Sequence, residues 1–135
     1  MYSRLIGRLI RRTYREATAG NPRLVRLLSA DDVEFVFPGH NSFAGSYRGK
    51  AAVLDWLERF ASLQPRFTVH DVVASGPIWN LRVAMRFSDA IGEDYRNRGM
   101  EFVNIRWGKV RRIEVFLDTE TIHAWETRHP ELASA

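Results

Sequence analysis

Residues 37 to 60 read FPGHNSFAGSYRGKAAVLDWLERF: the end of a strand, a stretch dense in turn formers, then a run with helical period. From Lys50 to Leu63 the apolar residues Ala52, Val53, Trp56, Leu57, Phe60 and Leu63 recur every three or four positions, which predicts a helix stopped by Pro65. Pro38 to Gly49 is rich in residues that favour turns and predicts a loop. Just upstream, Val33 to Phe37 reads as a strand. Downstream the period falls to two, and Phe67 to Ser75, Ile78 to Asp89, Tyr95 to Trp107 and Val110 to Asp118 are predicted strands. The last two are joined by a tight turn at Trp107-Gly108-Lys109.

Before the quoted stretch lie two more predicted helices. Arg4, Arg8, Arg11, Arg12 and Arg15 fall within about 100° of helical arc, with Leu5, Ile6, Leu9, Ile10, Thr13 and Ala17 on the other side, so the first helix is amphipathic and ends near Gly20. Pro22 suits a first helical turn, with Asn21 as N-cap, and Leu24, Val25, Leu27 and Leu28 make a short apolar helix before Asp31. Helices first and strands after describe an α+β fold, with the helices segregated onto one face of an antiparallel sheet.

The chain has 135 residues, of which 45% are hydrophobic and 27% charged, enough for one core and too few for two comfortable domains. A single domain over residues 1 to 135 is expected. The absence of cysteine excludes disulfides, thiol catalysis and thiolate metal sites. The four histidines, His40, His70, His123 and His129, show no ligand spacing, so neither a metal nor another cofactor is expected. No apolar run is long enough for a membrane span or secretory signal, and the expected location is cytoplasmic. The net charge is +4, but residues 1 to 29 hold seven arginines against Glu16. That stripe reads first as a solvated helix face. Nucleic acid and anionic lipid are the other partners it could take.

Three segments carry a resemblance: AGNPRLVRLLSADDVEF from Ala19, FPGHNSFAGSYRGKAAVLDWLERF from Phe37, and GKVRRIEVFLDTETIHA from Gly108. In this order and at these separations they resemble the nuclear transport factor two-like superfamily, which includes ketosteroid isomerases, SnoaL-type polyketide cyclases and limonene-epoxide hydrolases. The resemblance covers residues 1 to about 126. It implies a cone: a curved sheet around a pocket, with three helices on the concave face and dimerisation through the sheet.

Carried over residue by residue, the resemblance does not deliver the usual chemistry. The isomerase base position falls on Phe37, the donor tyrosine on Thr13 with Tyr14 beside it, and the protonated acid near Val103. The epoxide-hydrolase carboxylate of the last strand falls on Val115, and its partners on a face reading Leu81, Val83, Met85 and Phe87. Parity then assigns the last hairpin: Met100, Phe102, Asn104, Ile113, Val115 and Leu117 toward the helices, and Glu101, Val103, Arg112, Glu114, Phe116 and Asp118 toward solvent or a partner. With Phe37, Trp56 and Phe60, the residues Val83, Met85, Phe102, Val115 and Leu117 would line an apolar cavity or fill a plain core.

Polar candidates remain. Asp118 could be a general base or the N-cap of a C-terminal segment. His40 could act as acid or base at a pocket mouth or be solvated. Asn104 suits a ligand carbonyl or a backbone group, and Tyr14 and Tyr47 could donate through their hydroxyls. His70 and Asp71 suggest a local pair. Three functions follow: a module binding a small apolar or aromatic molecule, as a homodimer; an acid-base enzyme of the cyclase, dehydratase or isomerase kind; and a protein-interaction module. Neither nucleic acid nor a membrane is expected as partner.

Overall fold

The computed structural model describes residues 2–133. Helix α1 (Tyr2–Thr18) and helix α2 (Arg23–Leu28) lead into strand β1 (Ser29–Phe37), strand β2 (Gly45–Arg48) and helix α3 (Lys50–Ser62). Four strands follow: β3 (Arg66–Ser75), β4 (Leu81–Ile91), β5 (Tyr95–Arg106) and β6 (Lys109–Leu117). Helices α4 (Thr119–Arg128) and α5 (Pro130–Ala133) end the chain. The strands form one curved, unclosed sheet in the order β2-β1-β6-β5-β4-β3. This is the expected α+β fold. No helix of the described residues is long and apolar enough to cross a membrane.

The sheet departs from the expected all-antiparallel ladder at one pair. β1 runs parallel to β6, because the intervening segments carry the chain across to the far edge and back before β6 returns beside β1. The stretch from Pro38 to Gly49, expected to be all loop, contains β2, which pairs with β1 through Phe35↔Tyr47 and Phe37↔Gly45. The short helix α2 starts at Arg23, and Asn21 accepts a bond from the Arg23 backbone N–H at 3.1 Å. The ring of His70, the bulged residue of β3, meets the Ser88 hydroxyl at 2.7 Å, while Asp71 accepts from Arg86 at 2.7 Å, so the two neighbours face different partners.

Helix α1 does what its pattern predicts. Its arginines are exposed, and Ala17 is buried at 3%. The Tyr14 ring stacks on Phe67 of β3 at 5.2 Å, and Phe67 stacks in turn on Phe87 of β4 at 4.9 Å. Helix α3 buries Val53 and Trp56 against β1, and Trp56 lies 4.5 Å from the Phe35 ring and 5.4 Å from Phe37. The buried indole N–H of Trp56 donates to the Phe43 carbonyl at 3.0 Å, which satisfies the one polar atom it brings inside. Truncating such a residue to alanine typically costs about 3–5 kcal/mol, so this aromatic cluster fixes α3 over the sheet.

Candidate functional site: a cavity with two buried carboxylates

A cavity of about 250 Å³ lies between the helices and the concave face of the sheet. Its wall is almost wholly apolar: Phe37, Trp56, Phe60, Val115 and Leu117, each named from the sequence, contribute to it, and so do Thr13 and Tyr14. Val83 and Met85 are buried at 1% and 0% on the same face of β4 but pack inside the core and do not line the cavity. Thr13 bonds back to the Leu9 carbonyl at 2.7 Å, so its hydroxyl is committed to its own helix.

The cavity also holds carboxylates that the sequence reading did not place there. Asp89, 7% exposed, and Glu101, 4% exposed, both line it. Glu101 was expected on the outer face, and the hairpin explains the reversal. The two-residue turn pairs Arg106 with Lys109 and Ile105 with Val110, but Asn104 then pairs with Arg112, so Arg111 is an extra residue in β6. A bulge of one residue turns over every side chain beyond it relative to the partner strand. Without it Met100 and Phe102 would share a face with Val115 and Ile113. With it, Glu101 pairs with Val115 and Val103 with Ile113, all facing inward. Phe102 is accordingly 52% exposed, Met100 41% and Phe116 48%, on the outer face.

Asp89 needed no bulge to be found. It continues the alternation Leu81, Val83, Met85, Phe87 by one more step along β4, and that face is buried throughout. For Glu101 the available signal was weaker, namely the alternation Tyr95, Asn97, Gly99, Glu101, Val103. Gly99 is part of the design of this wall. A side chain there would meet the Phe116 carbonyl oxygen at 2.2 Å and the Phe87 ring at 2.9 Å, so glycine is what lets β6 and Phe87 approach β5 this closely.

The other sequence-named polar residues lie elsewhere. Asp118 is exposed and accepts from the backbone N–H groups of Glu120 and Thr121 at 3.1 and 3.2 Å, the geometry of an N-cap on α4. His40 is exposed, and its carbonyl contacts the His123 ring nitrogen at 2.8 Å. Asn104 donates to Asn80 Oδ1 at 3.1 Å and the Leu81 carbonyl at 3.2 Å. The Tyr47 hydroxyl donates to the Phe43 carbonyl at 2.8 Å. None of these four lines the cavity.

Electrostatics distinguish the cavity carboxylates. Burial raises Asp89 to about 6, since the charged form loses its hydration in an apolar wall. Its Oδ1 has no hydrogen-bond partner, the one such buried side-chain atom among the described residues. Burial likewise raises Glu101, to about 7, opposed by the hydrogen bond it accepts from the Tyr14 hydroxyl and reinforced by the charge on Asp89. Tyr14 is pushed well above its usual value, first by burial and then by Glu101, so it stays a proton donor in hydrogen bonding. The Tyr14–Phe67–Phe87 stack holds that hydroxyl in place. Beside Asp89, the Tyr95 hydroxyl accepts from Asn97 Nδ2 at 3.2 Å. Chemically, this is an apolar-walled pocket with one carboxylate that keeps an unbonded oxygen and a second, tyrosine-bonded one, both poised to exchange protons near neutrality.

Comparison places this arrangement. The SnoaL-like domain model matches residues 10–113. No curated protein matches the chain. Among solved structures, Bal32a from a soil-derived mobile gene cassette superposes with a TM-score of 0.71 at 15% identity, covering 94% of this chain and 98% of that one. A nuclear transport factor two-like protein from Burkholderia xenovorans gives 0.66 at 19% identity, with 87% and 92% covered. A putative ketosteroid isomerase from Kribbella flavida gives 0.63 at 24% identity, with 82% and 75% covered. At these identities the structures share a fold with this chain and nothing finer. The family model spans most of the chain and shows that the chain belongs to the SnoaL-like domain family, with the fold of the nuclear transport factor two-like structures it superposes on.

Proposed function

We propose that this protein binds a small, neutral, apolar molecule in the cavity and moves a proton on it, as an acid-base enzyme of the isomerase, dehydratase or cyclase kind. The observation that carries the reading is the unbonded Oδ1 of the buried Asp89 carboxylate in a mostly apolar wall, facing the same space as the Tyr14–Glu101 pair. An unsatisfied buried carboxylate costs stability and is expected where a ligand uses it. Asp89, with its unbonded Oδ1 open to the cavity, is the base; Glu101, whose burial favours its protonated form, is the acid that protonates or hydrogen-bonds the substrate oxygen. Tyr14 steadies Glu101 by donating its single hydroxyl proton to that carboxylate. A cavity without basic side chains in its wall favours a neutral substrate over an anionic one.

The test is a panel of neutral enones, hydroxy ketones and terpenoid or polyketide-like substrates, assayed for proton exchange with solvent and for turnover. Asp89→Asn should retain ligand binding and lose turnover. Binding with no turnover or exchange by the unaltered protein would leave a binding module in its place. The exposed outer patch of Met100, Phe102 and Phe116 supports a second proposal, a homodimer through the sheet, since monomers rarely leave such side chains clustered in water. Analytical ultracentrifugation of Phe102→Arg should then give a monomer; a monomeric unaltered protein would refute it.

A further inference from the structure

Helix α1 runs antiparallel to β3: Tyr14 lies on Phe67, Arg11 Nη2 donates to the His70 carbonyl at 3.0 Å, and Gly7 sits against Val72. The first turns of α1 therefore reach the end of the sheet where β3 passes to β4 and β5 to β6. At that end the Trp107 N–H donates to the Trp79 carbonyl at 3.3 Å, and Lys109 Nζ donates to the Leu27 carbonyl at 2.7 Å, which brings the last turn of α2 alongside. The cavity opens here, because Leu9 and Gly108 are the exposed residues among those lining it.

Around this mouth the surface is apolar and basic together. Leu5 is 65% exposed, Leu27 57%, Ile78 65%, Trp79 53% and Trp107 77%. Trp107 holds this exposure at a φ of 50°, in a turn position that suits asparagine or glycine far better. Segments 2–9, 26–28, 75–82 and 104–110 meet at this end. They carry Arg4 and Arg8 of α1, Arg26 of α2, Arg82, Arg106 and Lys109, with no aspartate or glutamate in any of them, while Arg12 and Arg23 pair with Glu16 toward the other end of α1. The rest of the chain is net negative.

We infer that this end docks on an anionic lipid surface, the arginines meeting headgroups while Leu5, Leu27, Ile78, Trp79 and Trp107 enter the interface, so that the cavity takes its apolar ligand directly from the membrane. The ligand-transfer half of this statement rests on the cavity reading above; the docking half does not. Tryptophan at the interface beside basic side chains is the composition that lipid headgroups and acyl chains together select. Nucleic acid would engage the arginines but gives Ile78, Leu27 and Leu5 nothing to bury in. The inference revises the expectation of no membrane partner, because the sequence does not show that the helix stripe, the two tryptophans and the cavity mouth converge.

The experiment is co-sedimentation of the full chain with phosphatidylcholine vesicles with and without phosphatidylglycerol, together with uptake of the apolar dye Nile red into the cavity. Binding only to the anionic vesicles, weakened by salt, is expected. Arg4→Ala with Arg8→Ala should weaken it on the order of twentyfold, about fivefold for each arginine. Trp79→Ser with Trp107→Asn, an exposed pair whose replacements suit their backbone, should weaken it at least about tenfold. No binding at low salt, binding indifferent to the tryptophans, or tighter binding to duplex DNA than to vesicles overturns the docking. Dye uptake without vesicle binding overturns it and leaves the cavity reading intact. Vesicle binding without dye uptake upholds docking and overturns the transfer.

Discussion

Two aspartates flank Asn97 and have opposite fates. Asp89, paired with Asn97 across the β4–β5 ladder, faces the cavity with one oxygen unbonded. Asp118, whose backbone carbonyl accepts from Asn97 Nδ2 at 2.9 Å, faces solvent with its carboxylate bonded to two helix N–H groups. Burial pushes Asp89 up to about 6, while the hydrogen bonds of the cap hold Asp118 below its usual value. One carboxylate is costly to the fold and the other supports it. A strained, buried carboxylate and a stabilising, exposed one lie at neighbouring ends of two strands, the arrangement expected where a site needs a group that the fold would prefer to see neutral.

The contrast breaks most visibly in turnover. Asp89→Asn should lower kcat by about 10²–10⁴-fold, the usual contribution of a positioned base, whereas Asp118→Asn should leave kcat within about twofold. Glu101→Gln should fall with Asp89→Asn and remove the basic limb of the rate profile, which an intact protein should show near neutrality. Equal losses from Asp89→Asn and Asp118→Asn would abolish the distinction.

Stability gives the next largest effect, with opposite sign. A carboxylate whose folded pKa is raised binds its proton more tightly in the fold, so its stabilising contribution is complete below about pH 4 and is lost as pH rises through about 6. At pH 8 the charged Asp89 should cost about 3 kcal/mol, and Asp89→Asn should recover most of that while gaining little at pH 4. Urea titrations at the two pH values read the difference directly. A gain independent of pH would assign the effect to packing, not to charge.

How much of this was legible beforehand follows from which rules act locally. The helices α1 and α3 and the strands from β3 onward follow from periodicity, and the inward face of β4 follows from parity; one more step of that parity reaches Asp89. The cap role of Asp118 is likewise written in Asp-Thr-Glu-Thr. Glu101 was not legible, because its face depends on Arg111 bulging out of β6, and Met100, Phe102 and Phe116 make the unbulged register look equally hydrophobic. The parallel β1–β6 pairing and the short β2 are tertiary choices that no local pattern announces. The cavity mouth, too, is assembled from four separate segments.

Asn97 links the two aspartates, and its removal should have a smaller effect than either charge change discussed above. Its amide donates both to the Tyr95 hydroxyl and to the Asp118 carbonyl, holding the end of β6 against β5 next to Asp89. Asn97→Ala should lower stability by about 1–2 kcal/mol, with a loss of turnover smaller than that of Asp89→Asn. Chemical denaturation and kcat measured on the same preparation test whether the two ends are mechanically joined.

The smallest effect is expected at Asp118 itself, and its pH dependence runs opposite to that of Asp89. A depressed carboxylate contributes stability above its unfolded pKa near 3.8 and loses that contribution as pH falls through its lower folded value. Asp118→Ala removes the acceptor for the Glu120 and Thr121 N–H groups and should lower Tm at neutral pH, a deficit that narrows in strong acid to the gap between alanine and asparagine. Asp118→Asn keeps an acceptor oxygen and loses only the charge at the start of α4, so its Tm should lie between alanine and the unaltered protein and show a flatter acid limb. Thermal melts from neutral pH down to about pH 2 separate these outcomes, since the unaltered and asparagine proteins should converge there as the carboxylate takes up its proton. A cap that supports α4 through hydrogen bonds predicts this order; an Asp118 that matters through the cavity predicts instead that asparagine and alanine fail alike.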